Sequence, residues 1–466
     1  MNRNTNLGAI LPGTKPEEES CMRKLNYGKI ACIVAVFCVA AAVAASAQTF
    51  TTLVKFNGTP QPANPTQLVA GIDGNIYGVT QTGGTNGTSS TGGALFRMSP
   101  AGKVSVLYSF CALANCADGS TPNGLIQTAN GKFFGTTALG GASDAAVCAN
   151  VGTGCGTFFV IGPGQPLTTL YSFCSQTNCN DGFFPWGGPL AVGRNGNIYG
   201  TTKFGGDLNG NNNCAWGCGT IFDITPTGTL TTLHVFCSTP TCPEGSGGNG
   251  LTRFSDGNFY GATLDSLSGN FGGGLYKITP GGSLTVLHTF DPEGNGDAEP
   301  TPPIQAADGT IYGTVLSGGT NGSGFFYKKV GGKLITLYNF CSLPNCADGA
   351  APNQVIQGSD GNFYGTTVAG GTSTNSECTK APCGTLFQIT PAGTLTTLHS
   401  FCSEANCADG RSPQGALVQA TSEIFYGAAS SGGASSKCGG NGCGTIFSLA
   451  LSPSVEANPN LRSEGQ

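Results

Sequence analysis

Charge is what this sequence has least of. Charged side chains make up 10% of its 466 residues, and the formal net charge is −5. No basic stripe is available for phosphate backbones and no polybasic patch for an anionic lipid surface, which argues against nucleic-acid and membrane-surface partners. Histidine is scarcer still, at three residues, and no GxSxG or HExxH string occurs. A Ser-His-Asp hydrolase or a zinc peptidase is therefore not expected. Beyond residue 48 no segment has a long helical period. Glycine-rich strings say nothing about phosphate binding in a chain with 76 glycines.

What the chain does contain is a phrase, Asp-Gly-Asn-(aromatic)-Tyr-Gly, in seven related copies. Its final steps are Tyr77-Gly78, Phe134-Gly135, Tyr199-Gly200, Tyr260-Gly261, Tyr312-Gly313, Tyr364-Gly365 and Tyr426-Gly427, spaced 57, 65, 61, 52, 52 and 62 residues apart. A period of that size marks a repeat architecture. One unit reads as four strands: Gln354–Gln357, Phe363–Thr367, Gly384–Ile389 and Thr394–Phe401. A hairpin turn at Asp360-Gly361-Asn362 joins the first two, and a type I turn at Thr390-Pro391-Ala392-Gly393 joins the last two. The expected fold is all-β, a seven-bladed β-propeller of four-stranded antiparallel blades. The ends support it. Phe50–Phe56 reads as a lone fourth strand, and the last repeat stops after a third strand at Cys443–Leu449. Pairing the two closes the ring and hides its edges. Short turns then fall on one face, and the long, variable loops on the other, where binding sites are expected.

Residues 1–47 read as an N-terminal extension and signal peptide. A basic start at Met22-Arg23-Lys24 precedes an apolar run from Ile30 to Ala45, and Ala45-Ser46-Ala47 offers a cleavage site. The alternative is a retained anchor, and Met22 rather than Met1 is a candidate start. Residues 48–453 form the repeat region and 454–466 a polar tail. Eighteen of the 21 cysteines lie in nine close pairs: Cys111 with Cys116, Cys148 with Cys155, Cys174 with Cys179, Cys214 with Cys218, Cys237 with Cys242, Cys341 with Cys346, Cys378 with Cys383, Cys402 with Cys407, and Cys438 with Cys443. In an exported chain local pairs read as disulfides, and their spacing does not resemble zinc knuckles. All nine fall in or at the edges of the long loops.

The segment GTLFQITPAGTLTTLHSF from Gly384 to Phe401, with DGNFYGTT from Asp360, resembles the GloVer tandem repeat over roughly residues 49–453. The resemblance implies an exported bacterial repeat protein of the "choice-of-anchor" kind, whose members carry different C-terminal sorting tags, and implies no established activity. The tail from Pro453 to Gln466 lacks an apolar stretch and a basic end. That favours a released or periplasmic protein over an anchored one.

Candidate chemistry is sparse. His234, His288 and His399 share one slot, two residues before the closing Phe of the fourth strand, where other copies have Tyr108, Tyr171, Tyr338 or Val54. A slot that accepts Tyr or Val is a packing position. Asp118, Asp181, Asp348 and Asp409 each follow the second cysteine of a pair and read as turn-capping residues, with calcium ligation the alternative. Asp291, Glu293, Asn295, Asp297 and Glu299 form the densest oxygen-rich loop, with Asp291, Asp297 and Glu299 the candidate calcium ligands. No other cofactor is expected. Trp186 and Trp216, the only two tryptophans, fall on the long-loop face of the third repeat, as local caps or as platforms for a sugar or a partner. The favoured reading is a secreted, non-catalytic binding or scaffold propeller that meets a glycan or protein. The alternatives are an extracellular carbohydrate-active or lyase-type enzyme on the same scaffold and a structural envelope protein.

Overall fold

The structure is a computed structural model describing residues 48–451, apart from positions 89, 144, 152–153, 187, 207, 209–213, 240–241, 265–272, 291–298, 381–382, 422, 434 and 439. The N-terminal extension, the signal-peptide segment and the tail expected at 454–466 lie outside the described residues. A single compact unit runs from Gln48 to Ser454.

Seven antiparallel sheets, each ordered from inner to outer strand, make a seven-bladed β-propeller. Blade 1 runs from Pro62–Ala70 to Val104–Ser109 and blade 2 from Ser120–Gln127 to Thr168–Ser172. Blades 3, 4 and 5 end in the outer strands Leu230–Val235, Leu284–Thr289 and Lys333–Asn339. In blade 6 the inner strand is broken into Ala350–Pro352 and Ile356–Gln357, both paired to Phe363–Ala369. Blade 7 has only three strands of its own, Arg411–Thr421, Ile424–Ser431 and Thr445–Ala450, and the N-terminal strand Thr49–Lys55 supplies the fourth. It pairs from Thr49↔Ala450 to Lys55↔Thr445. The ring is thus closed by the two ends of the repeat region, as the spare and missing strands require.

The glycine of each Tyr-Gly step explains the repeat. In every blade it sits on the second strand, directly opposite an aromatic residue of the third: Gly78↔Phe96, Gly135↔Phe159, Gly200↔Phe222, Gly261↔Tyr276, Gly313↔Tyr327, Gly365↔Phe387 and Gly427↔Phe447. The ring lies flat over the glycine, so a Cβ there would meet it, at 2.7 Å from Phe387 Cζ in the case of Gly365. This is an aromatic ring covering a strand glycine. At six of the seven junctions the closing Phe of the preceding blade then packs on the same ring, and Phe290 instead meets Phe325 at 6.2 Å. Phe110, Phe173, Phe236, Phe340 and Phe401 lie 5.2, 5.3, 5.5, 5.1 and 5.1 Å from the aromatic of the next blade. Phe56, from the N-terminal strand, does the same to Phe96 at 5.7 Å.

The rest of the phrase is a turn network. Asp73 accepts from the Asn75 backbone and side-chain N–H groups and from the Tyr77 hydroxyl. Asp256 and Asp360 repeat this with Asn258 and Tyr260, and with Asn362 and Tyr364. Glutamines at the inner-strand ends then tie blades together. Gln127, Gln305 and Gln357 accept the N–H of Ile72, Ser255 and Ala307, each in the preceding blade, at 2.8–2.9 Å.

Two of the glycine-covering rings are tyrosines, and the Tyr276 and Tyr327 hydroxyls are buried without a hydrogen-bond partner. Such an orphan costs about 1–3 kcal/mol, whereas the other five blades use Phe. Tyr276→Phe and Tyr327→Phe should each raise stability, by about 1 kcal/mol, seen as a higher guanidinium midpoint. Gly365→Ala should lower it by about 1–3 kcal/mol, because the added methyl overpacks the Phe387 ring.

Candidate ligand-binding site

A proline recurs in or just before the inner strand of six blades, as Pro65, Pro122, Pro185, Pro300, Pro352 and Pro413. The following residues converge on the propeller axis, with Asn249 in the matching place of blade 4. Together they line an axial cavity of about 350 Å³. Asn123, Asn249, Asn353 and Gln414 bring amides, Thr66 and Thr301 hydroxyls, and Trp186 an indole. Gln81 and Leu316, from the ends of second strands, share the wall, which places the cavity at the long-loop end of the axis. None of the lining residues carries a charge.

Three of these amides also fasten the ring. Asn249 Nδ2 donates to Pro300 O at 3.0 Å and Asn353 Nδ2 to Pro413 O at 2.9 Å, each in the next blade. Asn123 Nδ2 does the same to Pro185 O, and Thr136 donates to Asn123 Oδ1 at 3.0 Å. Each contributes about 1 kcal/mol and fixes its side chain at the rim of the cavity. Around the ring, blade 3 alone places an aromatic side chain in this position.

Trp186 is half-buried and stacks on Phe184 with centroids 5.3 Å apart at 15°. Phe184 in turn contacts Phe204 at 5.7 Å, and Phe204 meets the edge of Trp216 at 5.4 Å. The two tryptophans therefore end one run of four rings. Trp186 stands at the axis, and Trp216, 39% exposed, stands apart from the cavity.

Nine disulfides join the nine cysteine pairs. The backbone at these pairs divides them into two groups. In the five pairs that follow a fourth strand, both cysteines take left-handed backbone. The first members, Cys111, Cys174, Cys237, Cys341 and Cys402, have φ of 61°, 60°, 52°, 58° and 62°. The second members, Cys116, Cys179, Cys242, Cys346 and Cys407, have φ of 52°, 50°, 39°, 52° and 50°. Four of them also end a single 3-10 turn, at Ala114–Cys116, Thr177–Cys179, Pro344–Cys346 and Ala405–Cys407. Left-handed backbone costs a side-chain-bearing residue about 1–2 kcal/mol, so surrounding bonds must hold it.

Those bonds lie at the second cysteine's carbonyl, which the left-handed turn aims inward. Cys116 O accepts Gly119 N within its own loop and Gly141 N from the loop after the second strand. Cys179 O accepts Gly182 N and Gly206 N, Cys346 O accepts Gly349 N and Gly371 N, and Cys407 O accepts Gly410 N and Gly433 N. Cys242 O accepts Gly245 N. The other four pairs, Cys148 with Cys155, Cys214 with Cys218, Cys378 with Cys383 and Cys438 with Cys443, staple the loops after second strands and are absent from the left-handed set. In the first group the middle asparagine is left-handed too, at φ 55° in Asn115 and 56° in Asn178, Asn345 and Asn406, a conformation that asparagine tolerates.

Below each of these turns a buried carboxylate collects donors. Asp118 accepts from Ala112 N, Leu113 N and the Tyr108 hydroxyl, the last at 2.9 Å. Asp181 and Asp348 do the same with Tyr171 and Tyr338, both at 2.8 Å. Asp409 takes Ser403 N, Glu404 N and His399 Nε2, the imidazole at 2.9 Å. In blade 3 Glu244 plays this part and approaches His234 at 3.5 Å. The aspartates are therefore caps saturated by backbone and ring donors. The histidine slot is more than packing: Tyr108, Tyr171, Tyr338 and His399 there hydrogen-bond to the carboxylate beneath the next loop, and His234 approaches it.

Asp291, Glu293, Asn295 and Asp297 lie outside the described residues. Glu299 is exposed, its N–H donating to Ser317 Oγ and its carbonyl accepting from Leu316 N. Sequence reasoning missed the axial set apart from Trp186. The recurrent Pro-polar step was its signal, masked because the polar residue differs from copy to copy.

Among the described residues no helix is long and apolar enough to cross a membrane. A closed ring of stapled four-stranded blades with an uncharged axial cavity defines the class: a disulfide-rich seven-bladed propeller. Within it, the chain belongs to the family of the Gloeobacter/Verrucomicrobia repeat, whose pattern matches residues 89–301 and again 246–458. No curated protein matches the chain. Solved structures resemble it in fold. A fungal alcohol oxidase in complex with copper is 15% identical with a TM-score of 0.51, over 87% of this chain and 76% of that one. A putative gluconolactonase is 10% identical at 0.41, over 86% and 92%. The PQQ-bound aldose sugar dehydrogenase of Streptomyces coelicolor is 11% identical at 0.41, over 87% and 98%.

The carboxylate caps predict acid sensitivity. Burial alone would raise Asp409, but hydrogen bonds from His399, Ser403 and Glu404 outweigh it and hold the group below the ordinary aspartate value. Glu244 is likewise lowered, its burial outweighed by His234 and backbone donors. A folded-state value below the unfolded one stabilises above the ordinary carboxylate range and is lost as pH falls through it. The guanidinium midpoint should hold from pH 7 to about 5 and fall below about pH 4. Asp409→Asn should lower stability at pH 7 by about 1–3 kcal/mol and flatten that acid limb.

Proposed function

We propose that the protein is an exported, non-catalytic binding propeller that takes a neutral, hydroxyl-rich ligand, a glycan, at the long-loop end of its axis. One observation carries this reading: the axial cavity is walled by amides, hydroxyls, a single indole and aliphatic side chains such as Leu68, Leu316 and Val418, and by no charged group. Amide and hydroxyl groups exchange hydrogen bonds with sugar hydroxyls, and an indole face offers an apolar platform for a sugar ring. Acid–base catalysis needs a positioned titratable group, and the lining supplies none. Nine disulfides suit an oxidising compartment outside the cytosol and make the loops around the site resistant to rearrangement.

A neutral-glycan panel probed with oxidised protein tests the reading. The parent should bind, Trp186→Ala should lose about tenfold or more in affinity, and Trp216→Ala should stay close to the parent. Binding to no glycan, or binding indifferent to Trp186→Ala, overturns it.

A further inference from the structure

Arg411 is a charge where other blades carry none. The residue following the loop-closing glycine is Ser120, Ser246 and Ala350 in blades 2, 4 and 6. In blade 7 it is an arginine, only 3% exposed, in a chain poor in charge. Removing a cation from water costs several kcal/mol unless partners compensate. Nη2 donates to Asn441 Oδ1 at 2.7 Å and to Asn441 O at 3.3 Å. Nη1 faces Glu377 Oε2 at 3.5 Å, longer than the roughly 2.7–2.9 Å of a charge-assisted hydrogen bond. Glu377 rides on the short helix Ser376–Lys380, which the Cys378–Cys383 disulfide staples within the blade 6 loop. Its carboxylate is 34% exposed.

Loops of two blades thus bring a buried guanidinium and a partly exposed carboxylate to one cleft of about 290 Å³, whose walls also include Asn406, Ser435 and Asn441. The cleft is not isolated from the axis. Arg411 and the axial Gln414 lie on the same inner strand, Arg411–Thr421, three residues apart, about 10 Å of extended chain.

We propose that this cleft recognises the carboxylate of a uronic acid unit in an acidic glycan. The inference rests on the glycan reading of the axial site and extends it along blade 7. The sugar carboxylate accepts N–H bonds from the Nη1 side of Arg411, where arginine's fork matches carboxylate geometry. It takes over from Glu377 as counter-ion, while Ser435 and Asn406 face the sugar hydroxyls. Glu377 is then an internal competitor that holds the arginine in place when no ligand is bound.

Calorimetric titration of the oxidised full chain with an oligogalacturonate and with its uncharged methyl ester tests this. The acid should bind about tenfold or more tighter than the ester at low salt. Arg411→Gln should abolish that preference, and Glu377→Gln should widen it by removing the competitor. Equal binding of acid and ester by the parent, no binding of either, or a preference that survives Arg411→Gln overturns the proposal. If Arg411→Gln does not fold, Glu377→Gln decides: unchanged or weaker acid binding overturns it. Neutral-glycan binding lost in Trp186→Ala reports the axial site separately. Neutral binding retained with no acid preference therefore sinks this inference alone.

Discussion

A glycine facing an aromatic ring, once per blade, sets the geometry on which the molecule depends. Without a side chain on the second strand, the ring of the third can lie down on the sheet. Its upper face is then presented to the neighbouring blade, where the closing Phe of the fourth strand settles on it. That glycine, ring and tilted Phe form the recurring contact between neighbouring blades. Strand propensity alone would make blades; it would not tell them how to sit beside one another. Polar contacts refine this packing from both ends: Gln127, Gln305 and Gln357 reach back one blade near the short turns, and Asn123, Asn249 and Asn353 reach forward one blade at the axis.

The two faces divide the work. Short turns tied by Asp73, Asp256 or Asp360 have little freedom, and the long loops on the other side are rebuilt from copy to copy. Those loops are held by disulfides and by buried carboxylates that gather backbone N–H groups, and some of their cysteines and rings, such as Cys148, Cys155 and Phe204, join the core. Both devices order a loop independently of its apolar packing. A surface of this kind can vary in sequence while its supports stay fixed.

The architecture was legible because it is periodic. The Tyr-Gly spacing, the strand pattern between Gln354 and Phe401, and the spare strand at Phe50–Phe56 all belong to a code repeated along the chain, so one copy explains the others. The axial set was not legible for the opposite reason. Thr66, Asn123, Trp186, Asn249, Thr301, Asn353 and Gln414 share a place and not a residue type, and only the closed ring brings positions more than 300 residues apart together. The cysteine pairs were legible as pairs, but the left-handed turn at Cys116, Cys179, Cys242, Cys346 and Cys407 was not, because cysteine carries no local preference for it. The histidine slot shows a subtler gap. Exchange among His, Tyr and Val reads as packing, yet Tyr108, Tyr171, Tyr338 and His399 place a polar ring atom or hydroxyl at the same reach, and only the fold reveals the carboxylate waiting there. Arg411 is visible in the sequence as one of few basic residues, but its burial and its neighbour on another blade's helix are not.

The indole at the axis has a consequence for how a guest can sit. A ring of seven near-equivalent walls offers a small ligand seven nearly equal orientations related by rotation about the axis. Leaving them degenerate would favour occupancy by about 1.1 kcal/mol of orientational entropy, RT ln 7 at room temperature, but would leave the ligand pointing nowhere in particular. One tryptophan among amides and hydroxyls breaks that rotational symmetry. It gives up the degeneracy and in return gives the bound molecule a direction, outward over blade 3 on one side and toward the blades opposite on the other.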